Sequence, residues 1–237
     1  MRKNVSLLQI FVQINVAISY KLVQKNVDMK RNVLSKLIDW KNKKNRKPLI
    51  LNGARQVGKT YILREFGSQC YEKMAYVNCD KNKMLEKIFS QDYNISRILL
   101  SLSAILHVNI EPGNTLIIFD EIQESPTVLN SLKYFCEDAP QYHVAVAGSL
   151  LGISLHNNTS FPVGKVDMIK MYPMTYDEFL MAIGEQPLVD ILATKDFSII
   201  DSLSVRFIDC LRQYYYVGGM PAAVAEFAST KNLEEVR

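Results

Sequence analysis

A glycine, a Gly-Lys pair and a hydroxyl residue follow an apolar run at fixed spacing. The stretch LILNGARQVGKTYILREFG, residues 49–67, places Gly53, Gly58, Lys59 and Thr60 in the pattern G-x-x-x-x-G-K-[ST]. The glycines permit a sharp turn from strand to helix in which backbone N–H groups face inward around an anion. The start of the helix adds unpaired N–H groups and the positive end of its dipole. The spacing therefore predicts a loop that binds phosphate groups.

The side chains of this loop predict a nucleotide with a metal ion. Lys59 would reach the β- and γ-phosphates, and the Thr60 hydroxyl would ligate Mg²⁺. A glycine loop followed by an accidental Lys-Thr pair is the alternative, and the preceding apolar strand and following helix favour the phosphate loop. The residues predicted to contact the nucleotide are Gly53, Ala54, Arg55, Gln56, Val57, Gly58, Lys59, Thr60 and Tyr61.

Two adjacent acids end a second apolar run, TLIIFDE. Asp120 is expected to hold the Mg²⁺ shell, largely through water, and Glu121 is placed to orient and activate the attacking water. The alternative is a pair of acids that caps a helix. With the phosphate loop upstream, the sequence favours Asp120 as a metal residue and both Glu121 and Lys59 as catalytic residues.

The run VAVAGS supplies a third candidate, Ser149. If this strand lies between the first strand and the Asp-Glu strand, Ser149 would lie beside the phosphate loop and could bond the lytic water or the γ-phosphate. The alternative is an N-cap for a helix that begins near Leu150. The two roles are compatible, and the sequence does not choose between them.

Apolar runs with β-branched residues alternate with helical patterns along residues 31–149. Strands without polar alternation are buried on both faces, which requires a parallel sheet covered by helices. The predicted fold class is α/β, a three-layer αβα arrangement with a mainly parallel sheet. The predicted strands are 48–53, 74–78, 115–120 and 142–149, and the predicted helices are 31–43, 59–68, 83–89, 95–108 and 126–137. Residues 168–180 predict one more strand and a helix opened by Thr175, followed by helical sequence.

Composition and missing motifs argue against three classes: strongly basic nucleic-acid-binding domains, cysteine-based zinc sites and GTPases. The formal net charge of +4 is too small a basic excess to indicate nucleic-acid binding by itself. The four cysteines form no CxxC pair and have no histidine at zinc-like spacing, so buried free thiols in a reducing cytosol are expected. These are Cys70, Cys79, Cys136 and Cys210. No Asn/Thr-Lys-x-Asp element for guanine is present, which favours ATP over GTP.

The N-terminal segment 5–23 faintly resembles a signal peptide, but Gln9, Gln13 and Asn15 interrupt its apolar run. It is also too polar for a convincing membrane span, so a cytoplasmic protein with no membrane partner is expected. Met29 opens an amphipathic segment. Residues 1–28 are therefore expected to be an extension outside the fold, and the intact mass of the natural protein tests this expectation.

Several motifs in combination resemble the bacterial and archaeal AAA-family ATP-binding proteins. They are GARQVGKT, DEIQ with Pro126 shortly after, AGS, FPVGKV and YYYVGGMP, and the resemblance runs from about Met29 to the end. It implies an AAA-type ATPase core followed by a C-terminal half of unassigned function that looks related to nuclease-like folds. Most of that half is expected to be missing here. The expected organisation is an extension at 1–28, a core at 29–172 and a helical lid or incomplete domain at 173–237.

The resemblance also implies a homo-oligomer, because AAA-type proteins often need a neighbour to complete the site. Relatives commonly carry arginine after Phe-Pro-Val-Gly, where this chain has Lys165. A lysine would be a weaker, single-point partner of the γ-phosphate, and a surface cation is the alternative reading. Arg206 and Arg212 are other candidates for a cation that acts on a neighbouring subunit.

The predicted function is an ATP-binding, Mg²⁺-dependent P-loop ATPase that acts as a conformational switch. One alternative is a nucleic-acid-associated module in which ATP controls binding, supported by the basic segment KNKKNRK at 41–47. Another is a remnant that binds nucleotide without turnover. A small-molecule kinase is disfavoured, because no lid with closely set arginines follows the Asp-Glu strand. The client of the ATP cycle is not indicated.

Overall fold

The computed structural model describes residues 29–149 and 162–236, which form two compact units. The first unit contains residues 31–149 and 162–173. The second contains residues 174–236 together with residues 29–30. The predicted extension at 1–28 lies outside the described residues.

A parallel sheet organises the first unit and confirms the predicted α/β fold class. Within the described part of this unit, five strands pair side by side in the order β2-β3-β4-β1-β5, and every pairing is parallel. The strand β4 therefore lies between β1 and β3, as the prediction for Ser149 required. The strands are β1 Leu49–Gly53, β2 Lys73–Asn78, β3 Thr115–Asp120, β4 His143–Gly148 and β5 Asp167–Met171.

Helices connect the strands from β1 to β4, and local sequence signals set their ends. Asn82 and Asn94 each accept a bond from a backbone N–H three residues later, which caps the helices that follow them. Pro126 opens another helix, a position where its missing N–H costs nothing. The helices are α1 Val33–Asn42, α2 Lys59–Cys70, α3 Lys83–Gln91, α4 Ile95–Leu106 and α5 Pro126–Asp138, with a 3₁₀ turn at Ile122–Glu124.

The sheet is covered on both faces, which gives the three layers. On one face Ile50, Phe119 and Val146 pack into a core with the apolar sides of α3, α4 and α5. On the other face α2 approaches closely through Gly67, where a Cβ would lie 2.7 Å from Met74 Sδ and 3.5 Å from Leu116 Cδ2. Strands β1, β3 and β4 are buried along their whole length, as expected for a parallel sheet between helices.

The second unit is helical in its described residues. Thr175 opens its first helix with a capping box, in which the Glu178 carboxylate accepts a bond from the Thr175 N–H at 2.9 Å. A small core surrounds Phe179, whose ring stacks on Phe227 with centroids 6.0 Å apart. The helices are α6 Tyr176–Ala182, α7 Gln186–Thr194, α8 Phe197–Ser202, α9 Ser204–Val217 and α10 Pro221–Thr230, with a 3₁₀ turn at Leu233–Glu235.

The four cysteines are free. Cys79 and Cys210 are buried as predicted, whereas Cys70 and Cys136 are only partly buried because they lie near the surface ends of their helices. Burial raises the pKa of the Cys79 thiol to about 12. This thiol is therefore an apolar core group at neutral pH. Across the described residues, no helix has both the length and the apolar character needed to cross a membrane.

Candidate functional site

The carboxyl edge of the sheet gathers the residues that the sequence singles out. Strands β1, β3 and β4 are neighbours and parallel, so their last residues, Gly53, Asp120 and Gly148, end at the same edge. In open α/β sheets, ligands bind in the crevice outside the carboxyl ends of the strands. The candidate site is therefore at this edge, and the connection from β1 to α2 forms its floor.

The loop between β1 and α2 has the backbone of an anion-binding turn. Gln56 and Gly58 have positive φ values of 64° and 93°. The first helical bond of α2 runs from the Ile62 N–H to the Gly58 carbonyl at 3.0 Å. The preceding N–H groups therefore have no partner within the helix. Gly53 is needed for close approach, because a Cβ there would lie 2.4 Å from the Met171 carbonyl oxygen of β5.

The other loop residues divide into exposed and buried groups. The side chains of Ala54, Arg55 and Gln56 are exposed, and Tyr61 on the first turn of α2 is 59% exposed. Val57 is fully buried, so its side chain anchors the loop to the core and only its backbone faces the turn.

Lys59 lies across the mouth of the loop. Its ammonium donates to the carbonyl of Gly53 at 3.2 Å and to that of Ala54 at 2.7 Å. Partial burial lowers the pKa of Lys59, while the negative charges of Glu121 and Asp120 raise it. The cation is thus held on neutral carbonyls within the field of both acids, where an anion could replace those carbonyls.

Thr60 and Asp120 come together although 60 positions separate them in the chain. The Thr60 hydroxyl donates to Asp120 Oδ2 at 2.7 Å, and Asp120 is 4% exposed. A hydroxyl that donates to a carboxylate keeps its lone pairs for a cation, and hard oxygen ligands are those that Mg²⁺ prefers. The oxygens present therefore fit a magnesium ion held by one carboxylate, one hydroxyl and water.

Tyr76 belongs to this cluster, although no motif in the sequence indicates it. Its hydroxyl donates to the same Asp120 Oδ2 at 2.8 Å. The Arg64 guanidinium lies 3.9 Å from the Tyr76 ring centroid. Burial raises the pKa of Tyr76, and the Asp120 carboxylate raises it further, so the phenol remains a donor. The only signal in the sequence was a tyrosine in the middle of a short strand, and strand order was needed to interpret it.

Glu121 has a left-handed backbone directly after β3. Its φ is 51°, and its N–H donates to Asp120 Oδ1 at 3.0 Å. The Gln123 side-chain amide donates to the Glu121 carboxylate. Glu121 makes no side-chain capping bond, and the residue that precedes α5 is Ser125. Glu121 therefore precedes the 3₁₀ turn without capping it through its side chain, and a non-glycine residue in this conformation is one of the features that cluster at functional sites.

Ser149 follows β4 at the carboxyl edge and is partly buried. Its neighbour Gly148 is in register with Asn52, the residue before Gly53. The structure thus places Ser149 one strand away from the phosphate loop. The predicted helix start near Leu150 lies outside the described residues, so the N-cap alternative stays open.

The candidate trans-acting cations form ion pairs within the chain. Lys165 Nζ lies 2.8 Å from Glu137, and Arg212 lies 3.2 Å from Asp209. Arg206 pairs with Glu185. Lys165 precedes β5 at the amino edge of the sheet, about a full strand length from the phosphate loop of its own chain. Phe161 of the FPVGKV motif lies outside the described residues.

The basic segment 41–47 also lies at the amino edge, and several of its cations contact the protein. Lys43 pairs with Asp167 at 2.7 Å. Arg46 donates to the Pro140 carbonyl at 3.1 Å, and Lys47 donates to the Gly164 carbonyl at 2.6 Å. These contacts use three of the cations on which the nucleic-acid alternative depends.

Comparison with known proteins identifies one family and several distant structures. The sequence model of the family described as "AAA domain" matches residues 45–180. RuvB of Thermotoga maritima is 18% identical with a TM-score of 0.42, covering 67% of this chain and 51% of its own. Aeropyrum pernix ORC1, solved with DNA, is 14% identical with a TM-score of 0.41, covering 66% and 50%.

Drosophila ORC bound to DNA is 16% identical with a TM-score of 0.48, covering 85% of this chain and 61% of that one. The chain spans about half the length of the RuvB and ORC1 structures. No curated protein matches the chain.

Proposed function

Because the chain belongs to the AAA domain family, we propose that it binds ATP with Mg²⁺ at the carboxyl edge of the sheet and hydrolyses it. The observation that carries the proposal is the convergence of Lys59, Thr60, Asp120 and Glu121 at that edge. The Thr60–Asp120 contact of 2.7 Å joins the phosphate loop to the acidic strand. A solvated surface loop without a ligand is not expected to bring these residue types together.

Nucleotide binding is supported by the donors of the loop. The N–H groups at the start of α2, which precede the first helical bond, and the ammonium of Lys59 would surround the phosphates. Lys59 would exchange the carbonyls of Gly53 and Ala54 for phosphate oxygens. That exchange replaces two neutral acceptors with charged ones, so the bonds to Lys59 become stronger.

Thr60 and Asp120 would hold the metal ion. When bound, Mg²⁺ supplies positive charge against the phosphate oxygens. The Asp120 carboxylate accepts three hydrogen bonds, from Thr60, Tyr76 and the Glu121 N–H. These bonds fix its orientation before any metal arrives, which is the role of outer partners in metal sites.

Glu121 is the proposed general base. Glu121 is exposed. Because its backbone is left-handed, its side chain does not continue the alternating directions of the β3 side chains. A carboxylate in this position can orient a water molecule and accept its proton. Gln123 would steady the Glu121 carboxylate through its amide.

A second copy of the chain would complete the site in this proposal. Arg206 and Arg212 belong to the second unit and are 61% and 75% exposed in their ion pairs. Exposed pairs of this kind contribute little to stability, so either arginine could exchange its partner for a phosphate of a neighbour. The proposed cycle is a conformational switch in the cytoplasm whose client is unassigned.

The test is phosphate release with Mg·ATP, with nucleotide binding measured on the same samples. Glu121→Gln should lower turnover by about 100-fold or more and leave binding intact. Glu124→Gln is the matched control, because Glu124 is exposed in the same 3₁₀ turn.

Turnover of Glu121→Gln at the wild-type rate would remove Glu121 from its assigned role. Binding without turnover in the wild type would indicate a switch that needs a partner. Absence of binding would overturn the proposal.

A further inference from the structure

A buried arginine lies beneath the phosphate loop. Arg31 is only 8% exposed. Its Nη1 donates to the Val57 carbonyl at 2.9 Å, and its Nη2 donates to the Tyr172 carbonyl at 2.7 Å. Val57 is inside the phosphate loop, and Tyr172 directly follows β5. One guanidinium therefore bridges two backbone segments that are far apart in sequence.

The bond to Val57 fixes a peptide plane of the loop. In a trans peptide, the carbonyl of one residue and the N–H of the next point in opposite directions. The Val57 carbonyl points toward Arg31, so the Gly58 N–H points away from it. Gly58 is also the left-handed residue that precedes α2. Arg31 thus holds one donor of the proposed phosphate cradle in its binding orientation.

The geometry requires a guanidinium rather than any cation. Two N–H groups in a rigid planar fork reach two carbonyls at once, and arginine loses little freedom in doing so. A lysine ammonium in the same place keeps the charge but cannot hold both carbonyls in a fixed relation. The contact is therefore specific enough to be tested by a conservative substitution.

The same guanidinium is adjacent to both chain connections between the two units. The units divide between residues 30 and 31 and again between residues 173 and 174. Arg31 is the first residue after one division, and Tyr172 is two residues before the other. The Arg31 side chain therefore bonds to the phosphate loop at Val57 and also lies next to both connections in the sequence.

We propose that Arg31 is a positioning residue that preorganises the phosphate loop and couples its occupancy to the two connections. This inference rests on the proposed nucleotide binding. In the free chain Arg31 orients the Gly58 N–H. With phosphate bound, the loop is fixed from both sides, so the Arg31–Tyr172 bond opens less often and the connections are held with it.

The first test compares Arg31→Lys with a matched control, Arg46→Lys. Arg46 also donates to two backbone carbonyls, those of Lys41 at 3.3 Å and Pro140 at 3.1 Å, and lies at the amino edge. Titrations use a fluorescent ATP analogue with Mg²⁺, and tripolyphosphate as a competitor that reports on the phosphate loop alone.

Arg31→Lys should weaken the binding of both ligands about tenfold. Arg46→Lys should change neither affinity by more than about twofold, although it should lower Tm about as much as Arg31→Lys does. Equal affinity of Arg31→Lys and wild type would overturn the inference. So would a loss for the analogue with none for tripolyphosphate. If the wild type binds neither ligand, the proposed function falls with it, which distinguishes the two failures.

The second test uses the wild type alone and applies even if Arg31→Lys fails to fold. Amide hydrogen exchange is measured with and without Mg·ATP. Protection should rise in the peptides that contain residues 58–61, 31–33 and 172–175. Protection confined to the phosphate loop would overturn the coupling.

Discussion

The two edges of the same sheet are built in opposite ways. At the carboxyl edge, Gln56 and Glu121 have left-handed backbones, and the first N–H groups of α2 have no helical partner. At the amino edge, rings and cations pack against one another around His143. The same parallel strands support both edges, so the difference comes from the residues placed there.

Polar groups at the amino edge are satisfied inside the protein. The Tyr71 hydroxyl lies 2.7 Å from His143 Nδ1, and the Trp40 indole donates to the Lys47 carbonyl at 2.8 Å. Trp40 meets both Phe66 and His143 edge to face with centroids 6.2 Å apart. Burial lowers the pKa of His143 to about 4 and raises the pKa of Tyr71 well above its usual range. Both groups are therefore neutral at physiological pH.

This contrast separates stability from function. At the amino edge, Tyr71, His143 and Trp40 are held by contacts within the protein. The carboxyl edge retains strained turns and outward donors, which reduce stability unless a ligand uses them. Substitutions at the two edges should therefore have different consequences, and matched pairs can test the distinction.

The largest effect is expected at the carboxyl edge from Lys59→Ala. Loss of the only lysine in the loop should weaken ATP binding by about 10- to 100-fold, because a charged hydrogen-bond donor to phosphate is removed. Equilibrium titration with a fluorescent ATP analogue measures the change. Lys44→Ala, an exposed lysine of segment 41–47 at the amino edge, is the control. Similar losses in both variants would contradict the proposed difference in function between the two edges.

A smaller effect is expected from Tyr76→Phe. Removing the hydroxyl deletes one of two bonds to Asp120 Oδ2 and should raise the Mg²⁺ concentration for half-maximal nucleotide binding about three- to tenfold. Metal-free ATP binding should not change. Tyr71→Phe, which loses its contact with His143, should lower Tm and leave the metal requirement unaltered. An unchanged Mg²⁺ requirement in Tyr76→Phe would remove Tyr76 from the metal shell.

At neutral pH the smallest effect is expected at the amino edge, where His143 changes the stability only in acid. Because the pKa of His143 is about 4 when folded and 6.5 when exposed, the unfolded chain binds more protons between these values. The contribution of neutral His143 to the free energy of unfolding is therefore fully present above about pH 6.5. It is lost as pH drops toward 4, by up to about 1.4 kcal/mol per pH unit. Urea unfolding across this range measures the slope. His143→Asn should flatten it, whereas His107→Asn, at an exposed site, should not.

The sequence was informative where one segment carried its own signal. The loop pattern predicted a strand, a turn and a helix at 49–67, and the acids after TLIIF predicted the second half of the site. The structure brings Thr60 within 2.7 Å of Asp120, as a shared metal site requires. The roles assigned to Glu121 and Ser149 stay predictions.

Tyr76 and Arg31 could not be predicted in the same way. Each acts through a single contact with a residue that is distant in sequence, and their residue types are common in strands and at helix starts. Only the strand order places Tyr76 beside Asp120, and only the end of β5 places the Tyr172 carbonyl near Arg31. Such contacts depend on tertiary structure and leave no local pattern.

The position of β1 between β4 and β5 has a consequence for the order of events during synthesis. This strand forms its ladder with β4 and β5, which begin at His143 and Asp167, and non-local pairing of this kind is slow. While the ribosome is still producing these later segments, β1 and its glycine turn have no neighbouring strands to pair with. A nascent chain should therefore acquire affinity for nucleotide abruptly, once β5 has emerged. ATP in the surrounding solution would then favour chains that have completed their sheet.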